Sequence, residues 1–386
     1  MKPLSQWLRG LTRAGKAQRR SVDKLVKQLL RAPSGIPKPR VKAPAKPKPK
    51  LKPKAAPRAA KPRPSRGHIA ALPGRWLASC YSPPALGSLS GRHMNYWLYL
   101  PDKAPPATRA GGMPMVVMLH GCEQSATEFA QGTRMNRLAE RKGYAVLYPQ
   151  QSLSAHSQRC WKWYDKSTQE GGGEVRLIAG VIEQVAGRYP IDRSRIYICG
   201  ISAGAAMANI VALNHPELIA ALGLHSGPAY GAGHGVINAL SVMQHGASGQ
   251  GDAAIAAVLN RRPAFPRMPT ILIQGAGDTV VRPINQTHLM RQSLLLNRMP
   301  SDTAVLVELK PAGRGERNPA NAHQIRDFYV GKKLLLRVAH IEGLDHAWSG
   351  GDASLAFNAK AGPDASKMLL DFFSRQRRLR PLDAAA

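Results

Sequence analysis

The sequence predicts an α/β domain, a mostly parallel sheet with helices on both faces, and three observations carry that expectation. Short apolar runs of strand length recur at 115–119, 144–148, 195–199, 218–224, 270–274 and 334–339. Helical patterns fall between several of them, clearest at Glu174–Arg188, where Val175, Ile178, Val181, Ile182 and Val185 form one stripe. With 386 residues, 44% of them apolar, the chain has enough material for one large core. Strands alternating with helices build parallel sheets, because each crossover returns the chain to the same edge.

The N-terminal 68 residues stand apart from this pattern. They hold 21 Lys and Arg against a single acid, Asp23, and so carry +20 of the formal +32; the remainder carries +12. Leu4, Trp7, Leu8 and Leu11, then Val22, Leu25, Val26, Leu29 and Leu30, suggest a basic amphipathic helix suited to a surface or a partner. From 32 to 66 the chain becomes Pro-Lys-Ala repeats, where missing donors and like charges favour an extended, disordered tail. Non-specific binding to nucleic acid, or to an anionic membrane or granule surface, is the expected role of residues 1–68. Trp7 is the tail's only aromatic residue and no base-reading motif is present, which argues against sequence-specific recognition. The expected α/β domain runs over 69–380.

Within that domain, 95–100 is expected as an antiparallel edge strand. The strand at 115–119 ends in His120-Gly121-Cys122-Glu123-Gln124, a glycine-containing loop where an oxyanion-stabilising N–H is expected from Cys122. After the strand at 144–148, a loop bounded by Ser and Gly carries Trp161, Trp163 and Tyr164. Trp161, Trp163 and Trp348 are candidates for an apolar wall around a substrate, with simple loop packing as the competing role for Trp161 and Trp348.

The strand at 195–199 runs into Gly200-Ile201-Ser202-Ala203-Gly204, and a small-residue helical run follows. Strand, G-x-S-x-G and helix together make a nucleophile elbow, whose sharp turn requires glycine on both sides of the serine. Ala203 N–H is the second expected oxyanion donor. The pentapeptide alone also makes ordinary turns, so its partners decide. Asp278 follows the strand at 270–274 in Gly275-Ala276-Gly277-Asp278, and His346 follows the strand at 334–339 on a Gly-containing loop. Serine hydroxyl is a poor nucleophile without a base, and the base needs a carboxylate to hold its tautomer. Ser202 as nucleophile, His346 as base and acid and Asp278 as orienter satisfy that chemistry in the chain order of the fold. His120, His225 and His340 compete with His346 as structural histidines, and His225 and His340 are expected to pack beside the sheet.

Together His120-Gly121-Cys122, Cys160-Trp161-Lys162-Trp163-Tyr164, Tyr189-Pro190-Ile191-Asp192, Gly200-Ile201-Ser202-Ala203-Gly204, Gly277-Asp278 and Gly343-Leu344-Asp345-His346-Ala347-Trp348-Ser349-Gly350-Gly351 resemble the polyhydroxybutyrate (PHB) depolymerase family of esterases. Gly362-Pro363-Asp364-Ala365-Ser366 is similar to that family's segment before its last helix. The resemblance covers roughly 75–375 and implies an α/β-hydrolase fold and a Ser-His-Asp mechanism on carboxylic esters, including hydroxyalkanoate polyesters. Lys162 stands where the family often has asparagine, and 229–267 reads as a variable insertion; both bear on substrate rather than on the triad. Feruloyl or acetyl esters of polysaccharides are the alternative substrates. A nucleic-acid or granule adaptor with an incidental hydrolase domain is the alternative class.

No phosphate loop, dinucleotide fingerprint or metal-ligand cluster occurs in the sequence, so no cofactor or metal is implied. Arg9, Arg13 and Lys16 interrupt any apolar signal core, and no run of 18 apolar residues exists, so a cytoplasmic location is expected, with secretion as the alternative. The four cysteines, Cys80, Cys122, Cys160 and Cys199, contain no C-x-x-C pair. The family pattern implies a Cys122–Cys160 bridge, whereas a reducing cytosol implies free thiols.

Overall fold

A computed structural model describes residues 72–83, 92–102, 111–232, 234–247, 249–300, 303, 305–311 and 321–378. The basic segment 1–68, with its expected amphipathic helix, disordered stretch and binding role, lies outside the described residues.

Among the described residues, ten strands form one sheet: β1 (Arg75–Tyr81), β2 (Met94–Leu100), β3 (Met113–Leu119), β4 (Ala145–Pro149), β5 (Ile191–Ile201), β6 (Ala221–His225), β7 (Thr270–Gly275), β8 (Val305–Lys310), β9 (His323–Val330) and β10 (Lys333–Ile341). Their order is β1-β2-β4-β3-β5-β6-β7-β10-β9-β8. From β4 to β10 all neighbours run parallel, so their C-terminal ends share one edge, where open α/β sheets place their sites. β2 is antiparallel to β4 as expected, but it is not the edge, because β1 pairs outside it from Arg75↔Leu100 to Tyr81↔Met94. β1 escaped the sequence reading because its residues stay exposed or half-buried and show no apolar run. On the opposite flank β9 and β8 add two antiparallel strands, and β8 is exposed along its whole length.

The parallel strands are buried on both sides, which is why they read as continuous apolar runs rather than alternating ones. On one face Tyr197, Cys199 and Ile201 of β5 join Phe129, Met135, Leu138, Leu369, Phe372 and Phe373 in a buried cluster. Helices Glu174–Arg188 and Ala203–Asn214 pack on β5 and on each other outside that cluster. The first of these begins and ends where its apolar stripe does, stopped by Tyr189-Pro190. The expected insertion contributes helices Val236–His245 and Gln250–Arg261, which pack against Ile284–Leu296. Among the described residues, no helix is long and apolar enough to cross a membrane.

Candidate active site

Ser202 stands between the end of β5 and the first turn of helix Ala203–Asn214, with φ 56° and ψ −125°. For a residue with a Cβ this left-handed conformation costs on the order of 1–3 kcal/mol and persists only where the surroundings impose it. Two bonds do so: Ser202 N–H donates to His225 O at 3.0 Å, and Ser202 O accepts from Ala206 N–H at 3.1 Å. The flanking glycines allow the turn to press against β3. A Cβ on Gly204 would sit 2.2 Å from Leu119 O, and one on Gly200 2.5 Å from the Gly204 carbonyl carbon. Both obstacles are backbone, so Gly204→Ala is expected to cost about 1–3 kcal/mol or more of stability, together with activity. Urea unfolding checks this, and an unchanged midpoint would count against the close approach.

Asp278 and His346 meet beyond the ends of β7 and β10. His346 Nδ1 lies 2.8 Å from Asp278 Oδ2, and both side chains are buried. Gln274 Nε2 donates to the same Oδ2 at 3.0 Å, while the Val280 and Val281 amides donate to Oδ1 at 2.9 Å each. Burial pushes the Asp278 pKa up, but the His346 charge and hydrogen bond with the two amides outweigh it and hold the carboxyl below its usual range. An ionised carboxylate accepts a hydrogen bond from Nδ1–H and so leaves Nε2 as the basic nitrogen. The two loops are stitched together by Ala276 N–H to Ile341 O at 2.8 Å and Gly277 N–H to Leu344 O at 3.0 Å.

Because β5, β6, β7 and β10 are successive neighbours, Ser202, Asp278 and His346 emerge at one edge. The competing histidines are otherwise engaged. His120 is buried, with Nε2 accepting from Gln151 N–H at 3.1 Å, and burial pushes its pKa down to about 4. His225 is buried at the end of β6, and half-buried His340 faces Gln286 Oε1 at 3.2 Å. Positive φ at Glu123, Arg159, Ser202 and Ser226 gathers backbone strain in these same loops.

The loop after β3 is held from several sides. Gly121 N–H donates to Gln124 Oε1 at 2.9 Å, Glu123 N–H to Gln158 O at 2.7 Å, and Trp161 Nε1–H to His120 O at 2.9 Å. Cys122 and Cys160 form a disulfide, which corrects the expectation of free thiols. Cys80 and Cys199 are free, the latter buried in the core. Ala203 N–H belongs to the first helical turn, whose amides have no intrahelical acceptor.

The tryptophans correct another expectation. Trp161 and Trp348 are 0% and 1% exposed, so neither offers a substrate-facing wall. Trp161 packs on the His120 ring at 5.3 Å. Trp348 packs edge-on to Phe129 and flat on His225, and its Nε1–H donates to Ser366 Oγ. Trp163 is also buried, against Tyr164. Gln274, which helps to orient Asp278, was missed by sequence reasoning; a polar residue closing a buried strand four positions before the acid was its signal.

The sequence model of the family described as Esterase PHB depolymerase matches residues 94–308, more than half of the chain. The chain belongs to that family. The match to the Esterase PHB depolymerase family includes Ser202 and Asp278 and stops before His346. The chain is similar to poly(3-hydroxyalkanoate) depolymerase C of Paucimonas lemoignei, 28% identical over 195 residues, 49% of this chain and 46% of that protein. It is also similar to probable acetylxylan esterase A of Neosartorya fischeri, 30% identical over 206 residues, 51% of this chain and 54% of that protein. The chain thus spans about half the length of these curated relatives. Among solved structures, acetyl xylan esterase from Aspergillus awamori shares the fold, with a TM-score of 0.56 at 20% identity, over 73% of this chain and 94% of that one. Strand order and this likeness identify the α/β-hydrolase fold.

Proposed function

We propose that the chain is a carboxylic-ester hydrolase working by acyl transfer, with Ser202 as nucleophile, His346 as base and then acid, and Asp278 as orienter. The observation that carries this reading is the buried His346 Nδ1–Asp278 Oδ2 pair at 2.8 Å, in a site whose serine holds an elbow conformation. His346 Nε2 takes the hydroxyl proton as Ser202 Oγ adds to the ester carbonyl. The imidazolium so formed is stabilised by Asp278, which stays ionised. The N–H groups of Ala203 and Cys122 receive the developing oxyanion. His346 returns its proton to the leaving alcohol, and water repeats the sequence on the acyl-enzyme.

Family membership supports hydroxyalkanoate polyesters or their oligomers as substrates. Acetyl or feruloyl esters of polysaccharides are the second reading, favoured by the acetylxylan esterase relative. The Cys122–Cys160 bridge supports an oxidising compartment over the expected cytosol.

The test is a stopped-flow burst of p-nitrophenol from a short acyl ester, with mass spectrometry of the acylated peptide. One acyl group on Ser202 is expected; acylation elsewhere, or none, overturns the reading. Rates on hydroxybutyrate oligomers against acetylated xylan and feruloyl esters then choose the substrate class.

A further inference from the structure

We propose that His225 is a positioning residue for this reaction: its ring ties the loop carrying His346 to the strand end that supports the Ser202 elbow. The inference rests on the Ser-His-Asp reading and extends it. β6 lies between β5 and β7, so His225 sits beside both the serine and the acid loop. Its carbonyl accepts from Ser202 N–H at 3.0 Å, a rung that any residue here would supply. The ring supplies something more specific. Nε2 accepts from Ser349 N–H at 3.3 Å, three residues beyond His346. Nδ1 must then carry the proton, and it donates to Ser226 Oγ at 3.1 Å. The ring also stacks on Trp348, centroids 5.1 Å apart and planes 20° from parallel.

His346 is fixed at Nδ1 by Asp278, but one hydrogen bond leaves its ring free to swing about that contact. Where Nε2 points depends on where residues 347–349 are held: Trp348 N–H donates to Phe357 O at 2.8 Å and Ser349 O accepts from Ala365 N–H at 3.1 Å on one side, and the His225 ring holds them on the side facing the elbow. A misplacement of about 1 Å in such a base can cost on the order of 100-fold in rate. The anchor is also electrically quiet. Burial, with the neighbouring His346 charge, pushes the His225 pKa down to about 3. It therefore stays neutral while His346 becomes an imidazolium, and adds no second positive charge beside it.

The variants that test this are His225→Leu, His225→Gln and His225→Asn. The leucine variant removes the acceptor and is expected to lose about 10–100-fold in kcat with KM within about twofold. Glutamine, whose carbonyl can reach Ser349 N–H, is expected to recover most of the loss, and the shorter asparagine to recover less. A second readout needs no turnover: the low-field proton resonance of His346 Nδ1–H on Asp278. It is expected sharp in the wild type and the glutamine variant and broadened in the leucine variant. A folded leucine variant with wild-type kcat and an unchanged resonance overturns the proposal. So do equal kcat values for glutamine and asparagine, the comparison that decides if the leucine variant fails to fold. A wild type without esterase activity would sink the Ser-His-Asp reading, while the resonance comparison would still decide whether His225 orders the His346 loop.

Discussion

Asp278→Asn is expected to lower kcat by about four orders of magnitude while KM changes little. The reason lies in the donors around the carboxylate. Oδ1 is saturated by the Val280 and Val281 amides, and Oδ2 receives Gln274 Nε2 and His346 Nδ1. An asparagine amide must keep its oxygen on the two backbone N–H groups, since its NH2 there would set donor against donor. The NH2 then faces His346, which can oppose it only with an unprotonated Nδ1. The proton moves to Nε2, the atom that has to accept from Ser202. Gln274 cannot compensate by turning its carbonyl inward, because its Nε2 also donates to Val281 O at 3.0 Å. The variant should fold normally and fail at the chemical step. Steady-state kinetics on a p-nitrophenyl ester check this, and a rate within tenfold of the wild type would remove Asp278 from the assignment. Ser202→Ala is expected to lose at least as much, and the double variant no more than Ser202→Ala alone, because residues acting as one unit are non-additive.

What the sequence revealed follows from burial. The parallel strands are covered on both sides, so β3, β4, β5, β6, β7 and β10 appear as largely apolar runs, broken by Arg337 in β10, whose ends can be read to within a few residues. The outer strands lack that signature. β1 mixes exposed Arg75 and Trp76 with half-buried positions, and β8 carries Leu306 and Leu309 at 60% and 72% exposure, so apolar content there does not report a core. Ser202, Asp278 and His346 could be proposed from the sequence because acyl transfer needs those residue types at strand ends in a fixed order. The second layer was missed. The His225 ring meets Ser349, 124 residues on, which nothing local announces, and Gln274, although it reaches only Asp278 and Val281, four and seven residues on, had just its place at the strand end as a signal. Aromatic residues misled for the opposite reason: proximity to His346 and Cys160 in sequence says nothing about which side of the loop a tryptophan faces. Trp161 and Trp348 face inward, where each has a hydrogen-bond acceptor for its N–H.

Acid is expected to destabilise the protein well before its carboxylates are protonated. His120 and His225 are both buried, and burial depresses their pKa values to about 4 and about 3. In the unfolded chain a histidine titrates near 6.5, so below that pH the unfolded state binds two protons that the native state refuses. Stability therefore falls as pH drops, by up to about 1.4 kcal/mol per pH unit for each ring once the pH is well below 6.5, or about 3 kcal/mol between pH 6.5 and 5 for the pair. Against a total of roughly 5–15 kcal/mol this is a large share. Asp278 does not produce this loss: its depressed pKa means that its contribution persists until the pH falls below the ordinary carboxylate range. Urea unfolding at pH 7.5, 6.5 and 5 measures the slope, and a midpoint that stays constant over that range would contradict it. The two rings also hold the working loops. His120 braces the loop of Cys122 through Gln151, and His225 braces the loop of His346 through Ser349. Protonating either ring requires opening its loop to water, so the first structure lost to acid is the site itself.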